Sequence, residues 1–223
     1  MNNSLNLNRR DFLRGSAVAM MTAALAAAPR LSGSALAQSG NGDIDILNYA
    51  LTLEHLESRA YENVNNIGLL TGKAREFFID FGDQEAAHVV ALTGTITQLG
   101  GAPVRAQATY NWPTFKTEQE VLTYFQMLEE LGAAAYLGQA PRIQNPDLLT
   151  AAVSIHNVEG QHAAILADLT GMDPSPAFAP AKTMEEVVAA ITPILMPTGS
   201  VPGTMPNTGL GGGRRWIKRQ QWQ

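Results

Sequence analysis

The stretch LEHLESRAY, Leu53 to Tyr61, returns 75 residues later as LEELGAAAY, Leu128 to Tyr136. A glutamate, a leucine, an alanine and a tyrosine stand in register in both copies: Glu54 and Glu129, Leu56 and Leu131, Ala60 and Ala135, Tyr61 and Tyr136. Each copy lies inside a long segment whose apolar residues recur at helical spacing, and nothing in the region from Asp43 to Gly171 shows the alternation of a strand. The region reads as four helices, at roughly 43–66, 72–99, 117–140 and 146–170. NNIG, GGAP with a longer polar link through Asn111-Trp112-Pro113, and Gln144-Asn145-Pro146 separate them. Thr117 with Glu120 makes a capping box, and Pro146-Asp147 opens the fourth helix as an N1 proline does.

On a 3.6-residue wheel each helix turns one carboxylate toward its apolar stripe. Leu47, Leu51, Glu54 and Tyr61 share a face of the first; Phe81, Glu85, His88, Leu92 and Leu99 of the second; Leu122, Phe125, Glu129, Gly132 and Tyr136 of the third; Ala152, Ile155, Glu159, His162 and Leu169 of the fourth. Glu57 or Glu130 takes its neighbour's place if the rotation is off by one position. His55 falls among polar residues and reads as solvated. His156 stands one turn before Glu159, as a supporting group or a partly exposed one. Met127, Tyr124 and Phe125 read as core.

Four ionised carboxylates do not persist in an apolar interior without compensation, since burying even one unpaired costs several kcal/mol or more. Two divalent cations balance them. Glu85/His88 and Glu159/His162 are Glu-x-x-His pairs, which set an oxygen and a nitrogen donor one turn apart on one helix face. The order is a lone glutamate, then Glu-x-x-His, used twice, so the repeat reads as two equivalent hairpins giving equal ligand sets to two metals. Tyr61 and Tyr136, two turns beyond the lone glutamates, are placed to hydrogen-bond the ligand carboxylates.

With two Glu-x-x-His pairs, each preceded about 30 residues earlier by Glu-x6-Tyr, residues 43–171 resemble the ferritin-like superfamily. Within it the chain is similar to the exported branch of desiccation-related proteins and, more distantly, to manganese catalases. The resemblance implies an all-α, antiparallel four-helix bundle with a long crossover between the second and third helices. It implies Glu54, Glu85, His88, Glu129, Glu159 and His162 as ligands of two iron or two manganese ions. Oxygen and imidazole donors without thiolate suit those metals, and the chain has no cysteine.

Residues 1–37 read as an export signal of twin-arginine type. Arg9-Arg10 with Phe12-Leu13, the apolar run SAVAMMTAALAAA and the small-residue site Ala35-Leu36-Ala37 carry that reading, and the destination is periplasmic or extracellular. Removing this segment takes away four arginines and one aspartate, so the formal charge goes from −5 to −8. An acidic chain of this kind is not expected to bind nucleic acid. The mature chain has no run long enough for a transmembrane helix. Residues 172–223 form a Pro/Gly-rich extension with a short helix at 183–195, and the core is expected to be complete before it. The tail gathers Arg214, Arg215, Lys218 and Arg219 beside Trp216 and Trp222, as a linker or a contact for an acidic partner or surface.

These readings lead to an exported oxidoreductase, catalase- or ferroxidase-like, acting on peroxide or dioxygen in envelope stress protection, with a homodimer as a further expected assembly. The alternative is a non-catalytic metal-binding or structural stress protein. Ferritin-type storage would require a large hollow oligomer.

Overall fold

The computed structural model describes residues 41–174 and 176–195. The signal segment and the basic tail lie outside them. The chain forms α1 (Asn41–Asn65), α2 (Gly72–Gln98), α3 (Glu118–Gln139), a 3-10 turn (Ala140–Arg142), α4 (Pro146–Thr170) and α5 (Met184–Leu195), and the described residues contain no strand.

Local chemistry accounts for most of the boundaries. Thr117 accepts a hydrogen bond from the Glu120 amide at the start of α3, while the Glu120 carboxylate accepts from the Lys116 amide, so the box closes one residue earlier than its simplest form. Asn145 caps α4 through the amides of Asp147 and Leu148, ahead of Pro146. The α4 helix ends at Gly171, whose φ of 77° is open to glycine at no steric cost. The Met172 amide then returns to the Ala167 carbonyl.

α1 packs chiefly on α2 and α3 chiefly on α4, with α1 against α3 and α2 against α4 joining the two hairpins. The Tyr61 hydroxyl of α1 reaches Glu129 of α3, and the Tyr136 hydroxyl of α3 reaches Glu54 of α1. Higher numbers on one helix therefore meet lower numbers on the other, so α1 and α3 run antiparallel. The link between α2 and α3 must then travel the length of the bundle. It is pinned at its start by Asn48, which accepts from the Val104 amide and donates to the Ala102 carbonyl. Farther along, Tyr110, Trp112 and Phe115 pack on the core.

α5 corrects the expectation that the core closes before Gly171. Val187, Ile191, Ile194 and Leu195 are buried in the main cluster with Leu53, Leu56, Phe125 and Leu128. Their spacing is that of an amphipathic helix face, and α5 packs on α3. Its approach depends on Gly138. A Cβ there would stand 1.8 Å from the Lys182 carbonyl oxygen, and the Lys182 amide donates to the Ala134 carbonyl of α3. With the crossover and α5 as outer cover, α1 and α3 are buried around most of their circumference, whereas α2 and α4 keep an exposed side.

Candidate metal centre

Every one of the six residues singled out by spacing lies in the middle of the bundle. Glu54, Glu85, Glu129 and Glu159 are fully buried. Ligand-type atoms of Glu54, Glu85, His88 and Glu159 all lie within 4.8 Å of one another, as do those of Glu85, Glu129, Glu159 and His162. Glu85 and Glu159 belong to both groups. Each lone glutamate and one histidine complete one group: Glu54 with His88, Glu129 with His162. Helix geometry makes this arrangement, because residues three apart stand one turn apart on one face, and the antiparallel pairing of α1 with α3 centres the lone glutamates between the Glu-x-x-His pairs.

Hydrogen bonds hold the ligand atoms in place. His88 Nδ1 is 3.1 Å from both Glu54 and Glu85 and 3.4 Å from Glu159. His162 Nδ1 is 3.1 Å from both Glu85 and Glu129, while its Nε2 faces Gln84 Oε1 at 2.9 Å. A partner on the second ring nitrogen orients an imidazole that uses its first as a ligand. Tyr61 donates to Glu129 and Tyr136 to Glu54, each reaching across to the other hairpin. Phe81 stacks on the His162 ring at 3.9 Å and 26°.

The electrostatics match a site built for cations. Burial pushes the Glu159 carboxyl well above the usual range, and the charges of Glu85, Glu54 and Glu129 add to the effect. Burial likewise raises Glu54, up to about 7, against the pull of His88, and raises Glu129 against the hydrogen bond from His162. Glu85 differs: burial opposes its charge, yet hydrogen bonds from His162 and His88 hold it below the usual carboxylate range. Burial disfavours charge on both histidines, but the surrounding carboxylates outweigh it, raising His162 to about 9 and His88 further. Several oxygens still find no hydrogen-bond partner: both oxygens of Glu159 and Glu57 Oε2, while Glu85 Oε1 meets only the His162 nitrogen that also faces Glu129. Orphaned buried carboxylate oxygens turned toward one another are what a cation would satisfy.

Glu57 is the residue that rotation on the wheel does not place. It does not substitute for Glu54; both are buried, Glu57 at 4% exposure. Glu130 is exposed and accepts from Gln126 instead. His55 is half-buried, its Nε2 3.3 Å from the Val104 carbonyl of the crossover, which covers a face that reads as polar. His156 stays out of the centre, with Nδ1 3.0 Å from the Ala133 carbonyl. Met127 is 47% exposed, contrary to a core assignment, because it lies on the outer strip of α3 with Thr123 and Glu130. Phe125 is core and Tyr124 is half-buried against it.

A family model described as a ferritin-like domain matches residues 42–172, and a model of the twin-arginine translocation pathway signal matches residues 6–26. Among solved structures, a conserved hypothetical protein from Mycobacterium tuberculosis is similar at 19% identity and a TM-score of 0.54, over 63% of this chain and 100% of that one. A structure described as ferritin-like, diiron-carboxylate proteins from Bacillus anthracis str. Ames is similar at 22% identity and a TM-score of 0.49, over 57% of this chain and 94% of that one. No curated protein matches the chain.

Proposed function

Since the chain belongs to the ferritin-like domain family, we propose that its bundle holds two iron or two manganese ions and carries out redox chemistry on peroxide or dioxygen, protecting the cell envelope after twin-arginine export. The observation that carries this reading is the pair of overlapping groups, Glu54, Glu85, His88 and Glu159 with Glu85, Glu129, Glu159 and His162. The donors are carboxylate and imidazole without thiolate, a set that suits iron or manganese. Four carboxylates balance two divalent ions, and both oxygens of the shared Glu159 lack a hydrogen-bond partner. Glu54 and His88 would hold one ion, Glu129 and His162 the other, with Glu85 and Glu159 between them. The metal pair, when bound, supplies two-electron exchange with a small oxidant.

The protein's own part is positioning and exclusion. Tyr61 and Tyr136 fix the two lone carboxylates by hydrogen bonds, and Phe81 closes the bundle over His162. The His88 side chain is 12% exposed against 2% for His162, so a molecule the size of peroxide would approach from the α2 side at His88. Periplasmic or extracellular residence, and a homodimer, are further parts of the proposal.

The near-complete burial of the ligands equally favours a second reading, in which the ions are held without turnover in a stress protein. Oxygen evolution from peroxide and oxidation of ferrous iron separate the two: loaded protein no faster than buffer in both assays leaves the second. Metal analysis tests the centre itself. Mature protein expressed with iron and manganese should carry two ions per chain, and the Glu85→Ala/Glu159→Ala variant, which loses both shared residues, should carry none. Wild-type protein without stoichiometric metal would refute the reading.

A further inference from the structure

We propose that Glu57 is a further ligand carboxylate of the centre, supplied by α1 to the ion held by Glu129, Glu159 and His162. This rests on the dinuclear reading above and goes beyond its six residues. In the repeat, Glu57 stands where the second copy has Gly132. One hairpin thus carries a side chain where the other has none, and the structure shows why. A Cβ at Gly132 would lie 2.7 Å from Glu159 Oε2 and 2.9 Å from Glu57 Oε1. The glycine opens space on α3 that these two carboxylates fill from α4 and α1.

Three further observations place Glu57 at the centre. It is 4% exposed, and its Oε2 has no hydrogen-bond partner, a costly state for a carboxylate that no cation offsets. It precedes Tyr61 by four residues, so the two share a face of α1, and the Tyr61 hydroxyl reaches Glu129. The charges that act on it most strongly, after burial, are those of Glu159 and then Glu129. Glu57 stands outside both groups of mutually close ligand atoms, yet beside the orphaned oxygens of Glu159.

The consequence is charge asymmetry between the two ions. Four carboxylates neutralise two divalent cations, and a fifth leaves one negative charge that a trivalent ion balances. Ligation by Glu57 therefore favours the oxidised state of the ion on the His162 side and makes the two ions inequivalent.

The test uses mature protein loaded with manganese or iron, in wild-type, Glu57→Gln and Gly132→Ala forms, read by calorimetric affinity, metal stoichiometry and redox titration. Wild type should bind two ions. Glu57→Gln should retain two, with one Kd weakened by ~10–100-fold, the other unchanged, and a raised potential. Gly132→Ala, which keeps the carboxylate but presses on both Glu57 and the shared Glu159, should weaken both ions, whereas Glu57→Gln weakens one. Anomalous diffraction from loaded wild-type crystals should place a Glu57 oxygen at ~2.0–2.4 Å from one ion, and this measurement decides the matter if Glu57→Gln does not fold. Two ions in wild type with unchanged affinities and potential in Glu57→Gln, or Glu57 beyond ligand reach in the loaded crystal, would overturn the role of Glu57 and leave the dinuclear centre standing. A wild type that takes up no stoichiometric metal would remove the centre and this proposal together.

Discussion

The α1–α2 and α3–α4 hairpins supply the same ligand types in the same order, yet they surround them differently. His162 is 2% exposed, stacked under Phe81 and held by Gln84 on its outer nitrogen. His88 is 12% exposed, and its contacts to carboxylates come from α1, α2 and α4. Tyr61 is fully buried among Phe78, Phe81 and Phe125, whereas Tyr136 belongs to the smaller cluster of Leu47, Leu51 and Ile96. The ligand positions are under a symmetric demand, two cations each needing oxygen and nitrogen donors. The surroundings answer to packing, which the crossover and α5 make unequal.

The largest way to sharpen this contrast is to titrate the metal-free protein. Glu54 is pushed up to about 7 and Glu129 and Glu159 are raised with it. A raised carboxyl contributes stability that is fully present below its unfolded value near 4.5 and is lost as pH rises through its folded value. His162, raised to about 9, contributes stability present below about 6.5 and lost as pH climbs through 9. Glu85 is depressed, so its contribution is lost only in stronger acid than this range. The metal-free protein should therefore lose thermal stability steadily from about pH 4.5 to about 9, with His162 deprotonating before His88 in an NMR titration. Metal-loaded protein should behave oppositely, because ligands must shed protons to bind metal. A metal-free form that gains stability over this range would contradict the assignment.

A second change attacks the unequal cover. Gly138→Ala would set a methyl 1.8 Å from the Lys182 carbonyl oxygen, which is backbone and cannot rotate away. The segment leading into α5 must shift off α3, so we expect a loss of about 1–3 kcal/mol, as for other overpacking, read as a lower Tm. Gly160 has nothing within 4 Å of an added Cβ, so Gly160→Ala should be neutral or slightly stabilising, as Gly to Ala is within a helix.

The helices and six converging residues are legible because α2 and α4 have one buried side, so the apolar stripe marks which residue points inward. Glu85, His88, Glu159 and His162 fall on it without ambiguity. On α1 the same wheel loses its power. Glu57 is turned only part of the way round from Glu54, and both directions are buried, Glu54 against Tyr136 and Glu57 beside Gly132 of α3. His55 reads as solvated for the same reason: its cover comes from Val104, a residue of a link whose path no local pattern reveals. The stripe of Val187, Ile191 and Ile194 is visible in the sequence as a short helix, but nothing local says that it docks into the core. That depends on Gly138, which lies far back along the chain in α3, and on the close approach of the Lys182 backbone that this glycine admits.

The smallest expected effect tests whether the two tyrosines are as equivalent as the repeat makes them. Each hydroxyl donates to the lone glutamate of the other hairpin, and burial raises both phenols well above their ordinary range, so each remains a donor. Replacing either by phenylalanine keeps the ring and removes one donor to a buried carboxylate, a loss of roughly 1–3 kcal/mol in the metal-free protein. Metal bound at Glu54 or Glu129 satisfies the same oxygens, so loading should shrink both losses. Tyr61→Phe should keep the larger residual, because its carboxylate Glu129 lies on the side where Glu57 and Glu159 crowd together around Gly132. Equal residuals by thermal denaturation of the loaded variants would mean that the fifth carboxylate does not distinguish the two halves.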